Sequence, residues 1–277
     1  MNKKFLENKI LLNSGRNCLR YILKAYNITE IQLPYYLCPV VRQTVKEENV
    51  KINFYHINKN FLPTKEFLQN EFILYPNYFG LCDNQAELLS KKYKNLILDN
   101  AHAFFAKSQG ITSFSSPRKF FNVNDGGILE INKKISDYIE KDCDRTIEIK
   151  DFESFCRNEI SIDNEPIKEM SEKTKNSLKN INFEQKIIKN RQIFTKIAQK
   201  LKKTNILKLN ISDNSTPMCY PFLSQDFKEE EKLAEMLENK GIYLIKYGTN
   251  FPKSYPEFDF TKILMIPLTK KTSEFFD

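Results

Sequence analysis

The sequence contains few of the features that build disulfide frameworks, metal sites or membrane spans. Its six cysteines include no close pair and no CxxC motif, which is a poor disulfide framework and is typical of a reducing cytoplasm. With only two histidines, and no Cys or His pair at zinc-ligand spacing, we expect no structural metal. No apolar run approaches the roughly 18 residues of a membrane helix, and charge interrupts the short apolar run at the N-terminus. We therefore expect a cytoplasmic protein without a signal peptide or a membrane span.

The composition is that of a globular protein with an excess of basic residues. The 277 residues suffice for about two domains, and 41% hydrophobic with 28% charged residues excludes a disordered chain. The net charge of +8 favours an acidic partner, whether a nucleic acid, a membrane surface or a phosphorylated small molecule. The most basic stretch, residues 185–203, has no acidic residue and has apolar residues at helical spacing. We interpret it as a packed helix with a solvated face, and rank a nucleic-acid surface behind that interpretation.

The first half of the chain alternates short apolar runs with helix-compatible stretches. This alternation predicts an α/β fold with a mostly parallel central sheet covered by helices. The predicted strands are residues 30–34, 51–55, 72–75, 95–99 and 127–131, and the predicted helices are residues 18–25, 40–48 and 85–93.

The second half has a different character. Residues 134–203 are charged and largely helix-periodic. The remainder has β-like runs, which predict strands, at 206–209, 241–245 and 262–266, and a predicted helix at about 228–239. We therefore expect a large α/β domain over residues 1–135, a helical connector over 136–204 and a small α+β C-terminal domain over 205–277.

Two segments place polar residues where α/β proteins bind ligands. Ser14, Gly15 and Arg16 would open the first helix, where free N–H groups favour a phosphate, although Ser14 as a plain helix cap explains them equally well. Asp99 ends an apolar run, so its carboxylate needs a cationic or N–H partner, and His102 follows in the next loop. A turn-capping aspartate and a buried imidazole are the alternative here.

A lysine and a pair of tyrosines are further candidates. Lys119 stands between an arginine and two phenylalanines, shortly before Asp125 and a glycine pair. Desolvation beside a cation would favour the neutral amine that a nucleophilic or Schiff-base lysine requires, and an exposed lysine in a basic turn is the alternative. Tyr35 and Tyr36 follow the second predicted strand and would cover a planar ligand or pack in the core.

Taken in order, these segments resemble the sugar aminotransferases of the DegT family, which are pyridoxal-phosphate enzymes of fold type I. The shared features are Ser-Gly near the N-terminus, Pro-x-Tyr after the next strand, Asp-x-Ala-His-Ala at Asp99, and Pro-x-Lys at Lys119 followed by Asp-Gly-Gly. The resemblance covers residues 10–131 and, more faintly, residues 263–268, which are similar to the family's final strand.

The resemblance implies a role for each candidate residue. Lys119 would bind pyridoxal 5'-phosphate (PLP) as a Schiff base and later move the proton, and Asp99 would hold the pyridine nitrogen protonated. His102 would lie near the ring and its phenolic oxygen. Ser14, Gly15 and Arg16 would contact the phosphate, and Tyr36 or Cys38 would lie beside the ring. Phe114 holds the place of the family's phosphate-contacting serine, so the resemblance implies the neighbouring Ser115 as that contact.

The implied activity is amination of a nucleotide-linked keto-sugar for a surface polysaccharide, by a homodimer with glutamate as the amino donor. A second hypothesis is a catalytically altered PLP-binding protein with a scaffold or regulatory role. It is favoured because Met170 and Ser171 are similar to the family's Arg-Met-Ser, whereas the preceding Asn and Arg, which reach the partner subunit's cofactor, have no counterpart. The family also continues into a last helix where this chain ends soon after Leu268, so we expect a trimmed or incomplete C-terminus. A nucleic-acid-binding protein is the third hypothesis.

Overall fold

A nine-stranded mixed sheet organises the part of the chain that the structure describes. The computed structural model describes residues 5–142, 145–163, 165–209, 211–213, 215–245, 247 and 260–277. The strands of the sheet lie in the order β3-β2-β4-β5-β6-β7-β1-β9-β8. They are β1 (Ile10–Leu12), β2 (Glu30–Pro34), β3 (Lys51–Tyr55), β4 (Ile73–Pro76), β5 (Leu96–Asp99), β6 (Thr112–Ser115), β7 (Gly127–Glu130), β8 (Glu140–Lys141) and β9 (Lys168–Glu169).

The centre of the sheet is parallel, as the sequence predicts. Strands β3, β2, β4, β5 and β6 pair in parallel, whereas β7 and β1 join the sheet in antiparallel register. Along β4 and β5, Ile73, Tyr75 and Leu98 pack into one hydrophobic core and Leu74 and Ile97 into the other. Because successive side chains of a strand point to opposite faces, both faces of these strands are buried, which explains their unbroken apolar runs.

Eight helices accompany the strands in the described part of the chain. The first begins after Ser14, whose Oγ accepts the Asn17 N–H at 3.2 Å as a helix cap. The basic stretch forms a helix that buries Ile193, Phe194 and Ile197, which confirms the predicted packed face. The helices are α1 (Gly15–Ala25), α2 (Pro39–Glu47), α3 (Asp83–Lys92), α4 (Phe152–Ser161), α5 (Glu172–Asn180), α6 (Phe183–Leu201), α7 (Phe227–Asn239) and α8 (Lys270–Phe275). No helix within the described ranges is long and apolar enough to cross a membrane.

The C-terminal part contains a two-stranded antiparallel sheet of β10 (Cys219–Phe222) and β11 (Leu264–Pro267). The strand predicted at 206–209 is wrong. Only the Ile206 N–H reaches the Leu223 carbonyl, at 2.8 Å, and the Leu207 N–H bonds to the Asn205 side chain instead of a ladder partner. In the predicted strand at 241–245, Ile245 alone pairs with β11, through Met265.

The connector contributes more than helices. Its two short strands, β8 and β9, extend the large sheet, and β9 pairs with β1 at Glu169 and Leu12. The helices α4, α5 and α6 also lie in this stretch. The division into three domains at 135 and 204 stays a prediction.

Candidate active site

Asp99 lies at the carboxyl end of β5, between the parallel strands β4 and β6, and is buried with 7% exposure. Its Oδ1 accepts the Ala101 N–H at 2.9 Å. Burial raises the pKa of the Asp99 carboxyl, while the Ala101 N–H and the positive charge of Lys119 oppose that rise. Asp99 is therefore a fixed, desolvated acid with a cation nearby.

His102 follows in the loop after β5 and is also buried. Its Nδ1 accepts the Phe79 backbone N–H at 3.5 Å, which leaves the proton of the neutral ring on Nε2. Burial, followed by the charge of Lys119, lowers the pKa of His102 well below its ordinary value. The imidazole is thus neutral at physiological pH and able to donate from Nε2.

A tight turn at Tyr78–Gly80 positions the donor to His102. Phe79 has a φ of 60° and Gly80 a φ of 72°, a conformation that glycine adopts without strain. A Cβ on Gly80 would lie 2.6 Å from the His102 carbonyl oxygen and 2.5 Å from that of Thr216. Glycine at position 80 therefore lets the turn approach the His102 loop closely.

Lys119 ends a short 3-10 turn, Pro117–Lys119, that follows β6. Its side chain is exposed, which differs from the desolvated lysine that the sequence suggests. Its Nζ lies 5.9 Å from the centroid of the Tyr247 ring, and its charge acts on both Asp99 and His102. The structure thus brings the three main candidates together and leaves the amine accessible.

The start of α1 faces the strand end that precedes this turn. Ser14 is buried as the helix cap, and a Cβ on Gly15 would lie 3.8 Å from the Cβ of Ser116. Ser115 is buried at the end of β6, but Ser116, its neighbour, is the serine beside Gly15. Arg16 forms ion pairs with Asp163 and, at 3.4 Å, with Glu159.

Arg118 is a second cation at this helix start, and its position in the sequence marks it only as a neighbour of Lys119. Its side chain is 10% exposed and pairs with Glu159, which also binds Arg16. Among the described residues, Nε of Arg118 is buried and has no hydrogen-bond partner. Burial, and then the charge of Arg16, lowers the pKa of Arg118 to about 9. An anion here would satisfy the orphaned donor and reduce the repulsion between the arginines.

Aromatic residues close the other side of the site. Tyr36 is fully buried and stacks on Tyr78 and Phe260, with ring centroids 5.5 and 5.0 Å away. Cys38 is half-buried and caps α2 without a side-chain hydrogen bond. Tyr247, for which the sequence offered no motif, lies 5.1 Å from Tyr36 and 4.6 Å from His102, measured between ring centroids.

The fold is that of solved sugar aminotransferases. Helicobacter pylori PseC, an aminotransferase involved in the biosynthesis of pseudoaminic acid, is 14% identical, with a TM-score of 0.65 over 99% of this chain and 86% of that chain. A DegT DnrJ EryC1 StrS aminotransferase from Brucella abortus is 13% identical, with a TM-score of 0.62 over 99% and 85%. Spr1654 from Streptococcus pneumoniae, solved in its PLP form, is 13% identical, with a TM-score of 0.64 over 98% and 85%.

No protein-family model and no curated protein sequence matches the chain. The structural likeness at these identities concerns the fold. It confirms the expected α/β class with a mostly parallel central sheet, in the arrangement of fold-type-I aminotransferases.

Proposed function

We propose that the protein is a PLP-dependent aminotransferase of the DegT type that acts on a sugar. The observation that carries this proposal is the accessible Lys119 amine beside buried Asp99 and neutral His102, at the carboxyl ends of parallel strands. Ligands of open α/β sheets bind at these ends. The fold shared with PseC and Spr1654 supports the same reaction class.

The residues present fit the cofactor. The orphaned Nε of Arg118, next to the N-terminus of α1, suits a phosphate, and Gly15 leaves room for it at the backbone. Asp99 suits a protonated pyridine nitrogen, because a buried carboxylate gains most from a charge-assisted hydrogen bond. When bound, PLP supplies the electron sink for chemistry at the amino group.

Each side chain of the site would have its own role. Lys119 would hold the cofactor and move the proton, since it is the accessible amine near Asp99. His102 donates from Nε2, because Nδ1 is engaged by Phe79. The phosphate would be held by Ser14, Gly15, Arg16, Ser116 and Arg118, with Ser115 adjacent. Tyr36 and Cys38 would flank the ring.

The finer assignment is a nucleotide-linked keto-sugar substrate for surface-polysaccharide synthesis, with glutamate as the donor. The net charge of +8 suits a diphosphate-bearing substrate, and PseC is an aminotransferase involved in the biosynthesis of pseudoaminic acid. We further propose that the protein is cytoplasmic, because its cysteines form no close pairs in the sequence, and that it is a homodimer, because it resembles fold-type-I enzymes.

A catalytically altered PLP-binding scaffold is the second candidate. It is favoured by the position of Tyr247 among the residues assigned to the cofactor. The nucleic-acid hypothesis ranks last, because α6 buries its apolar face and its Lys196 is paired with Asp277.

The test is amination of UDP-linked and dTDP-linked 4-keto sugars by the purified protein with PLP and glutamate, followed by mass spectrometry. We expect an aminated product from the wild type and none from Lys119→Ala. PLP binding by the wild type without amination of any of these sugars would favour the scaffold role.

A further inference from the structure

Tyr247 lies among the groups that the proposed function assigns to the cofactor ring. Its ring centroid is 4.6 Å from that of His102 in an edge-on arrangement, 5.1 Å from that of Tyr36, and 5.9 Å from the Lys119 Nζ. The nearby Asp99 carboxylate adds to the effect of burial in raising the pKa of the Tyr247 phenol well above its ordinary value. The Tyr247 ring thus lies close to side chains that the proposed function places around the pyridine ring, namely Tyr36, Asp99, His102 and Lys119.

Tyr247 is held there by contacts at its hydroxyl and its backbone. The Cys38 backbone N–H donates to its hydroxyl, at the start of α2. Shortly before it in the chain, the Ile245 N–H donates to the Met265 carbonyl in β11 at 3.0 Å. The ring is therefore anchored from both the large sheet and the C-terminal strands.

A planar ring cannot share this volume with a second planar ring, because protein interiors are packed to the density of organic crystals. The Tyr247 ring also gains from a cation–π contact with Lys119 and from an edge-on contact with the neutral His102 ring. These contacts must be given up before a ligand ring takes the same place.

We propose that Tyr247 is an internal occupant of the cofactor-ring position and that PLP binds by displacing it. This proposal rests on the proposed function. The free energy needed to break the Tyr247 contacts is subtracted from the free energy of PLP binding. PLP therefore binds more weakly than it would if Tyr247 were absent from the site.

The first experiment is a titration of the full chain with PLP, following the visible absorption of lysine-bound cofactor. Tyr247→Ala should lower the apparent Kd at least about tenfold, which is ~1.4 kcal/mol. Tyr247→Phe keeps the ring but loses the hydroxyl contact, so its apparent Kd should lie between those of the wild type and Tyr247→Ala. Tyr243→Ala is the matched control, because Tyr243 lies in the same segment but is 68% exposed, and its Kd should not change.

The second experiment detects displacement directly by 19F NMR of protein containing 3-fluorotyrosine. The Tyr247 signal, identified by its absence in Tyr247→Phe, should move on addition of PLP. An unmoved signal while the visible band forms, or an equal or weaker affinity in Tyr247→Ala, would overturn the proposal and leave the proposed function intact. No visible band in either the wild type or Tyr247→Ala would overturn both.

Discussion

Asp99 is a buried carboxylate on which the positive charge of Lys119 acts. Its carboxylate would hold the cofactor's ring nitrogen protonated, so removing the negative charge would weaken the electron sink. We expect Asp99→Asn to retain some PLP but to slow the half-reaction with glutamate at least about a hundredfold, or ~2.7 kcal/mol. The measurement is single-turnover conversion of bound PLP to its amine form. Equal rates in the two proteins would remove Asp99 from the mechanism.

The Asn variant should not lose its fold. Burial raises the pKa of Asp99 in the folded protein, so protonation of this group stabilises the fold below about pH 3.9 and that stabilisation is lost as the pH rises. At neutral pH, Asp99→Asn should therefore resist urea at least as well as the wild type. A marked loss of stability would mean that the rate change reports unfolding.

His102 makes folding stability dependent on pH in the opposite direction. Its folded pKa is lowered, so the unfolded chain takes up a proton below about pH 6.5 that the folded chain refuses. We expect the wild type to lose up to about 1.4 kcal/mol per pH unit below that point, and His102→Gln to lack this component. Urea unfolding at about pH 7.5 and about pH 5.5 measures it. The control is His56→Gln, which keeps His102 and should show the wild-type loss.

The sequence alone could identify residues whose chemistry follows from chain position. Asp99 ends a predicted strand and His102 follows it, whereas Lys119 stands shortly before the predicted strand at 127–131. The structure brings the three together. Tyr247 gave no such signal, because its place among them depends on contacts between distant parts of the chain. The orphaned Nε of Arg118 depends likewise on Glu159 and Arg16 in other elements.

Two glycines at neighbouring elements have different expected roles: Gly15, at the start of α1, in binding the phosphate, and Gly127, in β7, in close packing. A Cβ on Gly15 would meet nothing closer than 3.8 Å, whereas one on Gly127 would collide with the Ser14 carbonyl and lie 2.6 Å from the Cys18 Sγ. We expect Gly127→Ala to destabilise the fold by about 1–3 kcal/mol. Gly15→Ala should unfold like the wild type but bind PLP at least about tenfold more weakly, because its methyl group occupies the approach of the phosphate.

Thermal unfolding and PLP titration of both variants check this pair of expectations. Unchanged PLP affinity in Gly15→Ala would show that the start of α1 does not hold the phosphate. Unchanged stability in Gly127→Ala would contradict the close packing of β7 on α1.

Elements with strong local patterns were predictable. Strands β2 and β4 follow the apolar runs closely, since both of their faces are covered, and α6 follows its helical period. Strands β8 and β9 were missed because two-residue strands carry no periodicity. The run at 206–209 was overpredicted because Asn205 takes up backbone N–H groups of this segment and of Leu223 that a ladder would need.

At the scale of the whole molecule, the prediction concerns the oligomeric state. Fold-type-I sites are built from two chains, so the resemblance predicts that the active unit is a homodimer. Light scattering at micromolar concentration with PLP present should give twice the mass of the 277-residue chain. A strict monomer under these conditions would favour the altered, non-catalytic hypothesis, since the residues that reach the partner's cofactor have no counterpart at 167–169.

The central claim is that Lys119 carries the cofactor. Borohydride reduction of the PLP-treated protein makes the lysine bond permanent, and peptide mapping then identifies the modified residue. We predict that the pyridoxyl group is found on Lys119 and that Lys119→Ala folds but loses the visible band. A pyridoxyl group on another lysine, or on none, would contradict the claim.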